Sequence, residues 1–406
     1  MEMKEMNSPL SGSKVVLGVT GSIACYKAAD LASKLTQEGA QVDVILTQGA
    51  SNFITPLSFK SLTHRPVITN LFDAESAQGI SHVVMAQSAD IIVVAPATAH
   101  VIAKLAHGLA DDALTTTILG SSAPVAVAPA MDGYMFDNPA TQENLEKLRQ
   151  RGVTIIGPAE GRLASGLRGM GRLVEVPQIV DILRAILGRQ GDMAGSSVVV
   201  SAGGTQEPID PVRVITNRSS GKMGYAVAQA ARDRGALVTL ITAPTSLPDP
   251  ANMDVRHVTT VAEMREAVLS ACMGADVLIM AAAVSDYRPA QVASQKIKKN
   301  QDGEGLVLHL EKNADFFLEV PEGVLRVGFA AESEDLLGNA RKKLKDKKLA
   351  LIAANDITAE DSGFNVDTNK VAILDKDGDV EDLPLMTKYQ VAHRILDRVV
   401  KFLSIS

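Results

Sequence analysis

The sequence predicts an α/β protein made of two Rossmann-like parallel-sheet domains, and three observations carry that expectation. The chain has 406 residues, enough for about two to three domains. A grammar of strand, Gly turn, helix, Gly stop and strand stands near the N-terminus and begins again at Ser197; such alternation builds parallel sheets. Between the two copies lies Leu187-Gly-Arg-Gln-Gly-Asp-Met-Ala-Gly-Ser196, a Gly-rich polar stretch of the kind that interrupts regular structure. The boundary is placed near residue 190, giving domains 1–190 and 191–406.

In the first half, Lys14-Val-Val-Leu-Gly-Val-Thr20 is a short apolar run rich in β-branched residues and reads as a strand. Gly21-Ser22 follow, then a helical pattern from Ile23 to Gln37 that stops at Gly39, then a strand over Gln41–Thr47. Further buried strands are expected at Ile91–Ala95, Val125–Ala128 and Val153–Ile156, with helices at Ala99–His107, Ala113–Leu119 and Ala140–Arg151. In the second half, Val198–Gly203 is a strand, a helix covers Gly224–Asp233 and stops at Gly235, and Ala236–Thr242 is the next strand. Asp276–Met280 reads as a strand, Leu336–Lys348 as a helix and Leu349–Ala353 as the strand after it.

Composition narrows the function. Apolar residues make up 46% and charged residues 21%, an ordinary globular mix, and the net charge of −7 argues against a nucleic-acid partner, which would require a basic footprint. The only cysteines are Cys25 and Cys272, so a disulfide framework or Cys-rich zinc site is excluded and a reducing compartment is expected. The polar segment Met1–Ser13 has no signal-peptide character, and the longest apolar run, Ile91–Thr98, is far too short to span a membrane. A soluble cytoplasmic protein without membrane partners is the expectation.

Thr20-Gly-Ser-Ile-Ala24 stands where a strand enters a helix, a place where free N–H groups and the helix dipole favour a phosphate. It is not a dinucleotide fingerprint, and the chain has no Walker A sequence, which leaves a nicotinamide-dependent dehydrogenase as a poor rival. Thr47, Pro96-Ala-Thr-Ala99 and Pro129-Ala-Met-Asp132 also lie at strand ends, where open parallel sheets collect ligands. His82 precedes the strand at Ile91; the remaining six histidines have no better claim, and no His/Asp/Glu set has metal-ligand spacing, so the metal ligands are unassigned. In the second half, the long stretch Ala202–Gly224 closes with Ser219-Ser-Gly-Lys-Met-Gly at the start of a helix, offering N–H groups and Lys222 to phosphates. Ala281-Ala-Ala-Val-Ser-Asp-Tyr287 ends a strand, Lys296-Ile-Lys-Lys299 follows on a loop, and Lys343 and Lys347 share one helix face by spacing.

These motifs carry a resemblance. Thr20-Gly-Ser-Ile-Ala, Ala95-Pro-Ala-Thr-Ala, Pro129-Ala-Met-Asp-Gly-Tyr-Met and Leu163-Ala-Ser-Gly-x-x-Gly-Met-Gly-Arg-Leu resemble the flavin-dependent cysteine decarboxylases. With the Thr205–Gly224 stretch, Asp286-Tyr, Lys296-Ile-Lys-Lys, Val327-Gly-Phe-Ala-Ala-Glu332 and Ala354-Asn-Asp356, residues 14–400 are similar to the bifunctional phosphopantothenoylcysteine decarboxylase/phosphopantothenate–cysteine ligases of bacterial coenzyme A synthesis. The resemblance implies an N-terminal flavodomain holding FMN, its phosphate near Gly21 and Ser22, with contacts from Thr47, Thr98 and Ala130, and His82 as the catalytic histidine. It implies a C-terminal ligase domain in which Ala281, Ala282, Ala283, Asp286, Lys296, Phe329, Lys343 and Lys347 hold CTP, Asn217 acts on the acyl-nucleotide step and Mg²⁺ assists. Its substrates would be 4'-phosphopantothenate, cysteine and CTP, and its assembly a homo-oligomer, trimeric through the first domain and dimeric through the second.

Two positions depart from that pattern. Asp132 replaces the usual Asn, and Ser165 replaces the cysteine that supplies a proton. A thiol with a pKa near 8.5 is a usable acid at neutral pH and a serine hydroxyl alone is not. The expectation is that Asp132, partly buried beside the substrate carboxylate, keeps a proton and takes over its donation. The alternative is a working ligase carried on a flavin-binding scaffold that has lost or slowed decarboxylation.

Overall fold

The short apolar runs of the first half line up side by side. The computed structural model describes residues 8–71, 81–298, 306–332, 335–356 and 366–404, and for Ser81, His82, Ala331, Glu332 and Asp356 the backbone alone. These residues divide into two compact units that meet in sequence between Leu187 and Gly188.

The first unit runs β1 (Lys14–Val19), α1 (Cys25–Gln37), β2 (Gln41–Leu46), α2 (Pro56–Thr63), β3 (Val67–Ile68), α3 (Ser81–Ser88), β4 (Ile91–Ala97), α4 (Ala99–His107), α5 (Ala113–Leu119), β5 (Val125–Pro129), α6 (Gly133–Asp137), α7 (Pro139–Gln150), β6 (Thr154–Ile155), β7 (Ala159–Arg162), β8 (Arg168–Arg172) and α8 (Val176–Leu187). Strands β1 to β6 form one parallel sheet in the order β3-β2-β1-β4-β5-β6. Period-2 geometry explains why its strands are apolar throughout: Val15, Leu17 and Val19 face one core with Leu31, Leu35 and Leu183, while Val16 faces the other with Ile102, Leu114 and Leu145. Each such buried Leu or Ile stabilises the fold by about 1.5–3 kcal/mol relative to leaving it exposed. The strand order reverses between β1 and β4, and that reversal opens a crevice at the carboxyl edge.

The second unit runs β9 (Ser197–Ala202), β10 (Gln206–Pro208), β11 (Val214–Thr216), α9 (Lys222–Arg232), β12 (Leu237–Thr242), β13 (Asp254–His257), α10 (Val261–Ala271), β14 (Val277–Met280), β15 (Tyr287–Pro289), β16 (Leu310–Lys312), β17 (Leu325–Glu332), α11 (Leu336–Asp346), β18 (Leu351–Asp356), β19 (Thr368–Asn369), β20 (Val371–Asp375), β21 (Val380–Asp382), β22 (Met386–Thr387) and α12 (Lys388–Leu403). Its main sheet has the order β13-β12-β9-β14-β17-β18-β20-β21, parallel up to β18 and antiparallel at the last two strands. Val198 and Val200 face α9 and α12, and Val199 faces the α10 and α11 side.

The structure departs from the expected elements in a few places. The antiparallel edge β20–β21 is absent from an all-parallel reading, because its hairpin needs only a short turn and no crossover helix. Helix α11 ends at Asp346 with Lys347 as its C-cap, so Lys347 lies one residue beyond the helix that was expected to reach Lys348. Among the described residues no helix is long and apolar enough to cross a membrane.

Candidate active sites

The crevice of the first unit is built by threonines at strand ends. Thr20, fully buried after β1, donates its hydroxyl to the Pro96 carbonyl at 2.7 Å and accepts the Thr98 N–H at 2.9 Å, tying the ends of β1 and β4 together where the strand order reverses. Thr98 caps α4 by accepting the Val101 N–H. Thr47 follows β2 and accepts the Ala50 N–H at 3.3 Å, and Ala130 follows β5, donating its N–H to the Ala97 carbonyl at 2.9 Å. Gly21, Ser22, Thr47, Thr98 and Ala130 therefore share one sheet edge.

That edge fits a flavin phosphate. Helix α1 opens with no side-chain cap and no acid in its first turn, and among the described residues the Gly21 and Ile23 N–H groups meet no acceptor. A Cβ on Gly21 would come within 2.8 Å of the Gly49 carbonyl carbon, so only glycine lets the β1 and β2 loops close on each other. Backbone donors at an uncapped helix start are what a phosphate needs. His82 is the second residue of α3, and its side chain lies outside the described residues.

Asp132 and Ser165, far apart in sequence, meet. Asp132 is the N-cap of α6, accepting the Tyr134 N–H at 3.2 Å. The β7–β8 hairpin turns through Ala164-Ser165-Gly166: Leu163 N–H donates to the Leu167 carbonyl, Gly166 N–H to the Leu163 carbonyl, and Gly166 adopts φ +86°. A three-residue turn with its last residue left-handed is a favoured hairpin loop, and glycine makes it strain-free. Ser165 at the tip donates its hydroxyl to Asp132 Oδ2 at 2.6 Å, and Met131 N–H donates to the Gly171 carbonyl at 2.9 Å, docking the hairpin onto the β5–α6 loop. Asp132 is half-buried and Ser165 exposed.

The second unit contains a cleft of about 640 Å³ at the carboxyl ends of β14 and β17. Asn217, Ala281, Ala282, Ala283, Asp286, Phe329, Lys343 and Lys347 all line it. Asn217 donates its side-chain amide to the Val284 carbonyl at 3.1 Å. The N–H groups of Ala281, Ala282 and Ala283 are already held by the Ser201 carbonyl, the Ser201 hydroxyl and the Gly203 carbonyl. What these alanines contribute to the cleft is therefore room, from small side chains on a fixed backbone. Lys347 lies 3.0 Å from Asp315 and over the Phe317 ring.

Lys296 is not brought into that lining. Its neighbour Ile297 is pinned by N–H to Asp210 and by carbonyl to Arg213, and Lys296 is exposed on that segment. Burial pushes the Asp210 carboxyl up, but the N–H groups of Val212, Ile297 and Arg213 more than offset this, so it sits below its ordinary value. Lys299 lies outside the described residues.

Among the cleft residues that the sequence reading did not name, which include Lys312, Asn313, Asp315 and Phe317, Lys388 stands out. Lys388 is only 5% exposed, donates to the Val366 carbonyl, and stands near Lys222, which is itself paired with Asp367 at 2.7 Å. Burial, with the Lys222 charge adding to it, lowers the Lys388 ammonium to about 8. A signal was there: Lys388 falls on the buried stripe of Val391, Ala392, Ile395 and Val399, where a solvated lysine has no place. Among the described residues no group of three or more His, Cys, Asp or Glu could hold a metal.

Two family models together span the chain: Flavoprotein over residues 3–188, and DNA/pantothenate metabolism flavoprotein C-terminal domain over residues 193–403. The fold and sites thus define a flavoprotein unit joined to a pantothenate-metabolism unit. The coenzyme A biosynthesis bifunctional protein CoaBC of Bacillus subtilis (strain 168) is 47% identical over 396 residues, covering 96% of this chain and 97% of the relative. Its namesake in Escherichia coli (strain K12) is 42% identical over 398 residues, covering 96% and 97%. A crystal structure of the C-terminal domain of a CoaBC protein is 37% identical, covering 53% of this chain and all of that one, with a TM-score of 0.46. The chain belongs to the CoaBC family of bifunctional coenzyme A biosynthesis proteins.

Proposed function

We propose that this chain is a bifunctional enzyme of coenzyme A biosynthesis whose second unit joins 4'-phosphopantothenate to cysteine with CTP, and whose first unit decarboxylates the phosphopantothenoylcysteine so formed. The observation that carries the reading is 47% identity to a bifunctional relative across both units. The lysine-lined cleft and the uncapped crevice support it physically.

In the ligase unit, a phosphopantothenate carboxylate oxygen attacks the α-phosphorus of CTP, giving an acyl-cytidylate and pyrophosphate. Lys343 and Lys347 neutralise charge on the departing pyrophosphate, Lys222 and Lys388 hold the anionic end of the cleft positive, and the alanines leave room for the nucleotide. Asn217 acts on the acyl-nucleotide, whose carbonyl the cysteine amine then attacks. A cleft rich in lysine and poor in carboxylates suits Mg²⁺ delivered with the triphosphate rather than held beforehand.

In the decarboxylase unit, FMN supplies a two-electron acceptor that oxidises the substrate thiol and later returns the electrons. Gly21 and Ser22 would hold its phosphate, with Thr47, Thr98 and Ala130 shaping the edge above the sheet. His82 is assigned to the substrate end of that site. Once a thiocarbonyl stands β to the carboxylate, carbon dioxide leaves readily and an ene-thiol remains. A cytoplasmic homo-oligomer is the setting; exposed Tyr26, Phe53 and Leu57 on the first unit support contact between copies.

The test is incubation of the protein with phosphopantothenate, cysteine, CTP and Mg²⁺, with products read by mass spectrometry. Phosphopantetheine is the expected product. Accumulated phosphopantothenoylcysteine would leave the ligase standing and overturn the decarboxylase. In the same assay Lys343→Gln should sharply slow CTP-dependent pyrophosphate release; retained turnover removes Lys343 from the site.

A further inference from the structure

Replacing a decarboxylated carboxylate by hydrogen consumes one proton overall, and that proton must enter the first unit from solvent and reach carbon. No thiol there can carry it. Cys25 is buried, its Sγ donates to the Thr20 carbonyl, and burial pushes the thiol up. Cys272 belongs to the second unit, is buried in its core, and is pushed up to about 11. At the hairpin tip stands Ser165, whose hydroxyl is too weak an acid alone, yet that hydroxyl is bonded at 2.6 Å to the half-buried carboxyl of Asp132.

We infer that Ser165 and Asp132 form a two-residue proton relay that delivers the carbon proton of the last half-reaction. The inference rests on the decarboxylase reading above. The exposed side of Asp132 takes a proton from water, and Ser165 connects it to the substrate. When carbon dioxide has left, the carbon that carried it belongs to the C=C bond of an ene-thiolate. That carbon takes the Ser165 proton: a C–H bond forms, the C=C electrons supply it, and sulfur's negative charge closes a C=S bond. The Asp132 proton moves to the Ser165 oxygen in the same step, so serine ends neutral and Asp132 ends as carboxylate. The two electrons that reduce C=S to the thiolate are those the flavin took from the substrate at the outset. Neither residue suffices alone. The serine is placed but weakly acidic, and the carboxyl is acidic but anchored as the cap of α6.

Asp132→Asn separates the roles. Asn caps a helix as well as Asp and still accepts the Ser165 hydroxyl, but carries no transferable proton. In Asp132→Asn and Ser165→Ala, substrate should bleach the flavin at the parental rate, while release of the fully reduced thiol falls about 100-fold or more. The product that accumulates should be the ene-thiol, lighter by two hydrogens in the mass spectrum. In the double variant Asp132→Asn/Ser165→Cys, a thiol acid needs no carboxyl behind it, and thiol release should return. Amide hydrogen exchange of residues 159–172 in flavin-free protein should stay parental in Asp132→Asn, which excludes a merely structural defect. Parental thiol release in both single variants overturns the relay, and so does lost bleaching, which would place the pair in an earlier step. A parental protein that bleaches no flavin with substrate overturns the decarboxylase reading itself, and the relay with it.

Discussion

Thr20 shows how much one hydroxyl organises at the scale of a residue. It donates to the Pro96 carbonyl and accepts the Thr98 N–H from its buried position. Thr20→Val keeps the shape and strips both partners, so the fold should lose about 1–3 kcal/mol for each buried group left unpaired. A lowered thermal midpoint together with weaker flavin retention, measured by flavin fluorescence after gel filtration, checks it. Lys388 makes a pH prediction at the same scale. Its ammonium sits near 8 in the fold against an ordinary 10.5, chiefly because it is buried. Between those values the folded chain holds fewer protons on this residue than the unfolded one, so its contribution to stability rises with pH across that window. The difference in urea-unfolding free energy between the parent and Lys388→Gln should therefore shift in favour of the parent from pH 8 to pH 10. A constant difference would show that Lys388 keeps its ordinary value.

At the scale of elements, α12 depends on a reciprocal cap: Thr387 accepts the Gln390 N–H and the Gln390 side chain reaches back to the Thr387 N–H. Thr387→Ala should cost about 1 kcal/mol, read as a lower urea midpoint with unchanged slope. Because Lys388 follows the cap directly, the same variant should also raise the KM for CTP. Strands and helices of the parallel sheets were legible in sequence because their residues obey two independent periodicities, as β1, α1 and β2 do. The antiparallel β20–β21 edge and the short hairpins were not, since their pairing is decided by partners distant in sequence. The strand-end residues of both sites were legible for the same reason as the strands. The pairing of Ser165 with Asp132 was not, because a turn type sets it and not a local pattern, and Lys296 was drawn to the cleft by its motif while the Asp210 anchor holds its segment outside the lining.

At the scale of the whole molecule, each unit covers both faces of its own sheet with its own helices. Residues 188–406 made alone should therefore fold and form phosphopantothenoylcysteine from CTP, phosphopantothenate and cysteine at a rate within a few-fold of the full chain. An insoluble or inactive fragment would mean that the second unit needs the first to complete its fold.

The two sites offer an anion different groups, and this has a consequence for ionic strength. The first offers backbone N–H groups and threonine hydroxyls at an uncapped helix start, with no acid in the first turn and its one lysine there, Lys27, engaged by Glu175 and the Leu173 carbonyl; the second offers Lys222, Lys343, Lys347 and Lys388. Mobile ions shorten the reach of lysine charges from about 8 Å at physiological salt to about 3 Å at 1 M, while short dipolar contacts lose little. Raising potassium chloride in a single titration should loosen the hold on the triphosphate and leave the flavin in place, so that a protein still yellow has ceased to make the substrate its other half consumes.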